Sequence, residues 1–210
     1  LEILTYIRHG EKMFIMKRLL LILILTFNFQ TLSKADDITD FEIEGMSIGD
    51  SLLDYMSKEE IKKKMNAKSS FWYKTNAYVS ILIKSDNFKV YDEIGIVIEP
   101  TDNNFIVHSI EGTFNYNDNI NECYKKQNII TSDLKDMFYD NAKFNTFARE
   151  YSADKSGKST SKYNDFEFPD DSAIRVICYD MDKDFIDPND QLYLAIVSKQ
   201  FMKWINKNNK

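Results

Sequence analysis

The sequence predicts an α+β fold, a mainly antiparallel sheet with two helical segments, arranged as two αβββ-like halves in one domain spanning residues 36–210. Three observations carry this expectation. The apolar periodicity runs in the order helix, strands, helix, strands. Turn-forming clusters such as Pro100-Thr101-Asp102-Asn103-Asn104 separate neighbouring strand candidates at hairpin spacing. The regular strand–helix alternation of a parallel sheet is missing.

The first helix is expected over about Asp50–Met65, readable as two short pieces because Ser57-Lys58-Glu59-Glu60 spells a capping box. Strand candidates follow at Tyr78–Ile83, at Lys89–Tyr91 with Ile94–Ile98, and at Phe105–Ile110. Around Asn117–Asp140 the residues Ile120, Cys123, Tyr124, Gln127, Ile130, Leu134, Met137 and Phe138 fall on one stripe at helical spacing. Thr131-Ser132-Asp133 is a candidate interruption of that helix. Lys143–Tyr151, Tyr163–Phe168, Ala173–Tyr179 and Gln191–Val197 complete the strands, with Ser152–Lys162 as a polar linker. The last segment, Lys199–Asn206, fits either a continued strand or a helix.

Ahead of the domain, Lys17 and Arg18 precede an apolar run, Leu19–Phe29, and a small-x-small exit at Ser33 and Ala35. That is the plan of a secretory signal peptide over residues 16–35, with residues 1–15 expected to be an over-extended reading frame. The apolar run is shorter than the roughly 18–20 residues a membrane-spanning helix needs. A periplasmic or secreted location follows as the expectation, with no stable membrane insertion once the leader is removed.

Five of the 27 basic and two of the 33 acidic residues precede Asp36, leaving 22 against 31 and a net charge of −9 for the domain. Such a balance excludes nucleic acid as a partner, since duplex binding rests on neutralising phosphates with Lys and Arg. Two cysteines remain, Cys123 and Cys178. In an oxidising compartment an even pair predicts one disulfide, here tying the long helix to a strand.

Four stretches suggest chemistry. Gly49-Asp50-Ser51-Leu52 resembles the nucleophile block of GDSL esterases, whose serine works with a distant Asp-x-x-His near the C-terminus. A serine nucleophile needs a base. The one histidine of the domain, His108, lies mid-chain with no Asp three residues before it, so Ser51 reads as a helix cap. Lys155-Ser156-Gly157-Lys158-Ser159-Thr160 imitates a phosphate loop, but the first glycine of the Walker pattern would fall on Ser152. What survives is a candidate anion-binding concavity of Lys155, Gly157, Lys158, Ser159 and Thr160. Asp180, Asp182, Asp184 and Asp187 are spaced like ligands of a calcium loop, yet Phe185 stands where glycine is needed and Gln191 where a bidentate Glu is needed. They remain a weak calcium candidate, and no other cofactor is indicated. Finally, Phe71-Trp72-Tyr73, Phe114, Tyr116, Phe144, Phe147, Tyr163, Phe166 and Phe168 supply core residues, and any outward-facing subset would make a binding face.

The stretches Phe41–Ser51, Ser109-Ile110-Glu111-Gly112 and Asp154–Ser159 together resemble a set of uncharacterised secreted proteins of AT-rich marine alphaproteobacteria, a likeness that implies no activity. Gly45-Met46-Ser47 leading into a helix and strands is similar to small envelope α+β domains of the lactamase-inhibitor-like kind, which implies binding of other proteins. With no metal cluster, cofactor fingerprint or acid–base pair legible, the expectation is a non-enzymatic binding module for an envelope protein or small ligand. The alternatives are an envelope hydrolase using carboxylates and a calcium-stabilised structural domain.

Overall fold

In a computed structural model of the protein, which describes residues 38–208, eight strands join edge to edge in one antiparallel sheet. They are β1 (Phe71–Trp72), β2 (Val79–Ile83), β3 (Glu93–Ile98), β4 (Val107–Asn117), β5 (Lys143–Glu150), β6 (Thr160–Glu167), β7 (Ala173–Asp180) and β8 (Asp190–Val197). Three α-helices accompany them: α1 (Lys58–Met65), α2 (Ile120–Met137) and α3 (Lys199–Asn208). The predicted class is the observed one. The segment 1–15 and the leader 16–35 lie outside the described residues. Among the described residues no helix is long and apolar enough to cross a membrane.

The strand order β1-β2-β3-β4-β8-β7-β6-β5 runs inward from each end to a central antiparallel pair, β4 with β8. Each half is one helix followed by a four-stranded meander, α1-β1-β2-β3-β4 and α2-β5-β6-β7-β8; the second half has the four strands read from the sequence, and the first has one more than the three placed there. The extra strand of the first half is β1, two residues long and too short to show a period. Conversely Lys89–Tyr91 does not pair in the sheet. Its backbone is held by the N-terminal arm instead, since the Glu44 carboxylate accepts from the amides of Lys89, Val90 and Tyr91 at 2.7–3.3 Å.

Local signals place α1 and α2. Ser57 and Glu60 close the capping box in both directions, and Ile61 and Met65 face inward one turn apart. In α2 the buried stripe is Cys123, Gln127, Thr131 and Leu134, each three or four residues from the next. Thr131-Ser132-Asp133 does not interrupt the helix, because the Thr131 hydroxyl finds a partner across the core in the Asn164 side-chain amide at 2.9 Å. The Gln127 amide donates to the carbonyls of Lys162 and Val176, both at 2.9 Å, and so pins α2 across β6 and β7. Cys123 and Cys178 are joined as a disulfide between α2 and β7.

These helices cover one face of the sheet. Ile81, Ile94, Ile96, Ile110, Ile174, Val176, Leu192, Leu194 and Ile196 form the main core there with Ile61, Leu134 and Phe138. The second face carries a smaller cluster, in which α3 lays Phe201 and Met202 over Tyr78, Val97, Ala173, Ala195 and Val197. The C-terminal segment is therefore a helix rather than a ninth strand. Alternation along each strand sends successive side chains to opposite faces, and this fixes which residues the second face presents.

Candidate functional site

Three places gather polar side chains in ways that ordinary packing does not require, and the first joins two of the predicted sites. Lys155 and Gly157 through Ser159 lie in the β5–β6 connection, while Thr160 opens β6. Asp154 organises this loop, its carboxylate accepting from the Ser156 amide (2.8 Å) and from the Ser159 amide and hydroxyl (2.9 and 2.7 Å). Those hydrogen bonds, led by Ser156 and Ser159, hold the Asp154 carboxyl far below its ordinary range. Gly157 turns the loop with φ +74°. Lys155 donates to the Ser152 carbonyl at 2.7 Å, and Lys158 reaches the β7–β8 connection, 3.5 Å from Asp182 and 3.4 Å from Asp184. The candidate anion loop thus lies against the candidate calcium loop and places a cation on two of its carboxylates. Asp187 is turned to its own loop and accepts from Asn189, while Asp180 ends β7. Among the described residues no group of three or more His, Cys, Asp and Glu is placed to hold a metal ion.

Ser51 is accounted for as well. It caps the 3₁₀ turn Leu52–Asp54 by accepting from the Leu53 amide, and its hydroxyl donates to the Asn104 carbonyl at 2.7 Å.

The second place is the face of the sheet that bears α3. Register sets Gly95, Glu111, Ala195, Arg175, Asp165 and Asn145 in one row across β3, β4, β8, β7, β6 and β5, and Thr113, Tyr193, Ile177, Tyr163 and Phe147 in the next. Glu111 lies across Gly95, where any Cβ would come within 2.7 Å of its carboxylate oxygen. Burial first, and then the charge of Glu93, push the Glu111 carboxyl up to about 7. Asp165, 2 % exposed, pairs with Arg175 at 3.5 Å, but its Oδ1 and the Arg175 Nε have no hydrogen-bond partner. Burial likewise raises Asp165 above the usual carboxylate range, against the pull of Arg175. Tyr163 is held by two neighbours from β5: Phe147 stacks on it with centroids 4.8 Å apart, and Arg149 donates to its hydroxyl at 2.6 Å. Tyr179 packs edge-on against Tyr193 at 4.9 Å. Of the aromatics singled out in sequence, Tyr73, Phe147 and Tyr163 belong here, whereas Phe114, Tyr116, Phe144, Phe166 and Phe168 pack into or against the main core.

The third place is at the end of the sheet where α3 begins. The β3–β4 register slips so that Ile98 pairs with Val107 and Val97 with Ser109, which leaves His108 as the extra residue of a bulge. Its imidazole packs edge-on to Tyr78, with Nδ1 3.4 Å from Ser198 Oγ and Nε2 3.7 Å from Glu99 Oε1. The Tyr78 hydroxyl (3.1 Å) and the Gln200 amide (2.7 Å) both donate to that Glu99 oxygen. His108, Ser198 and Gln200 line a cavity of about 280 Å³. Sequence reasoning singled out His108 as the domain's one histidine but had no signal for Glu99 and Ser198, which stand nine residues before and 90 after it.

No protein-family model, curated protein or solved structure matches the chain.

Proposed function

We propose that the protein is an extracytoplasmic binding module whose working surface is the second face of the sheet. The observation that carries this reading is the Asp165–Arg175 pair, kept on a face otherwise rich in aromatic rings with a carboxylate oxygen and a guanidinium nitrogen left without hydrogen bonds. A buried ion pair that forgoes hydrogen bonds costs the fold free energy, and a face that keeps one carries a charged feature that packing alone does not need. Tyrosine and arginine are the side chains that most often anchor protein interfaces. Here Tyr163, Tyr179, Tyr193, Arg149 and Arg175 spread over β5 to β8, roughly 15 Å at the usual spacing between strands. That breadth suits an envelope protein better than a small molecule. The disulfide supports an oxidising compartment.

The carboxylate-hydrolase reading has less to stand on. Glu111 has Glu93 as its acidic neighbour, and Glu93 is engaged by Lys84 at 2.7 Å.

Affinity capture from envelope extract tests the binding reading. Arg175→Ala and Tyr193→Ala should each weaken retention of a captured protein by at least about tenfold, as interface anchors do. Lys135→Ala on the exposed side of α2 should leave it unchanged. Equal retention by all three variants would move the binding surface away from this face.

A further inference from the structure

We propose that Ser198, His108 and Glu99 form a nucleophile, base and orienting carboxylate that hydrolyse short-chain carboxylic esters in the cavity at the start of α3. This activity uses a different site from the binding face and stands independently of it.

Three independent features converge on this place. The bulge turns His108 out of the β4 alternation, a device that re-aims a side chain at a local loss of pairing. Its ring then meets a hydroxyl on one nitrogen and a carboxylate on the other, at 3.4 and 3.7 Å. Such links are commonly long before a substrate tightens them. Glu99 does not drift, because Tyr78 and Gln200 both donate to the oxygen that faces the imidazole. It holds the Nε2–H tautomer and leaves Nδ1 free to accept the Ser198 proton. Thirdly, the site opens on a cavity of about 280 Å³ walled by Ile38, Ile48, Ile106 and Val107, with Asp170 and Lys199 as its charged residues. That volume sits at the small end for ligand pockets and admits a short acyl chain.

Ser198 also caps α3, accepting from the Phe201 amide at 3.3 Å, and this leaves its single proton for His108. Lys199 and Gln200 line the cavity, and their amides, the first of the helix, lack intrahelical acceptors and can receive an oxyanion. In the reaction Ser198 Oγ adds to the acyl carbon as its proton passes to His108 Nδ1. The ester C–O bond then breaks and that proton goes to the leaving alkoxide, freeing the alcohol. Water adds to the acyl-serine with His108 taking and returning one proton, and the carboxylic acid departs as Ser198 Oγ–H is restored.

Ser198 and His108 are the catalytic residues and Glu99 is a positioning residue. The charged groups that act on the imidazole are Glu99 and Asp102 from the β3–β4 connection; Tyr78 before β2 packs on the ring, and Asp170 and Lys199 line the same cavity. Burial lowers His108 below 6.5, and the two carboxylates oppose that shift.

The test is labelling of the purified full chain with a fluorophosphonate, read by peptide mass, together with hydrolysis of p-nitrophenyl acetate. Wild type should carry one label, on Ser198, and Ser51→Ala should label equally. Ser198→Asn keeps a helix-capping side chain and His108→Gln keeps the shape of the ring site. Each should lose the label and reduce hydrolysis by roughly 100-fold or more, the usual worth of a general base. Glu99→Gln should move the pH midpoint of hydrolysis downward, since it removes a charge that favours imidazolium, which a loss of packing would not do. An unlabelled wild type, a label on another serine, or a His108→Gln protein that labels like wild type would each overturn the proposal. Unfolding curves that match wild type for Ser198→Asn show that lost labelling is lost chemistry.

Discussion

Cys123, in the first turn of α2, is bonded to Cys178 of β7 across 55 residues of chain, with their Cα atoms 6.0 Å apart. The bond closes a loop containing all of β5 and β6, so its removal frees half of one meander in the unfolded state. Loop-closure entropy for that length is worth up to about 4 kcal/mol. Replacing both cysteines by alanine should lower the melting temperature by roughly 10 °C for a domain of this size. Reduced wild type should melt where the double variant does. A reduced protein that melts with the oxidised one would show that the bridge adds nothing.

Glu44 ties the N-terminal arm to the segment before β3 through the amides of Lys89, Val90 and Tyr91. Burial raises its carboxyl, but those three amides and the charge of Lys89 outweigh it and hold it below its ordinary value of 4.5. A group depressed on folding stabilises above its unfolded value, and that stability is lost as pH falls through the folded value. Glu44→Gln should cost about 1–2 kcal/mol at neutral pH, the worth of hydrogen bonds to a charged acceptor. In urea titrations the gap between variant and wild type should shrink steadily below pH 4.5.

Glu111 has the opposite sign. Its folded carboxyl titrates near 7 against an ordinary 4.5, so the folded state binds the proton more tightly. Its contribution is complete below about pH 4.5 and is lost as pH rises through 7. Glu111→Gln keeps the neutral shape, and it should flatten the decline in unfolding free energy from urea titrations between pH 5 and pH 8 by about 2 kcal/mol. If the two proteins decline in parallel, another group sets that slope.

Lys158 occupies the carboxylates that a calcium ion would need, at 3.5 Å from Asp182 and 3.4 Å from Asp184. Millimolar calcium should therefore leave the melting temperature of the wild type unmoved, as should millimolar phosphate, because each loop already holds the other's counter-charge. Lys158→Ala should leave stability nearly unchanged, because exposed, screened ion pairs contribute little. A rise of several degrees in calcium for the wild type would support the metal reading of Asp180, Asp182, Asp184 and Asp187.

Much of this was legible in the chain because it is local. The capping box at Ser57 and Glu60, the buried stripe of α2 and the alternation of β7 and β8 each depend on neighbours within a turn or a few residues. Ser51 could be set aside as a nucleophile from the sequence too, because the domain's one histidine lacks the family's Asp-x-x-His setting, and the segment reads as a helix start, which the Ser51 cap on the turn Leu52–Asp54 bears out.

By itself, then, the sequence determined the α+β class, most of the longer elements and the half-repeat, since periodicity says which residues of one element share a face. Only the tertiary structure decided which faces meet. The β4–β8 pairing joins the halves, the bulge swings His108 toward Ser198, and register lines up Glu111, Arg175 and Asp165 in one row. Each depends on strands far apart in the chain, where a shift of one residue would send every side chain to the other face.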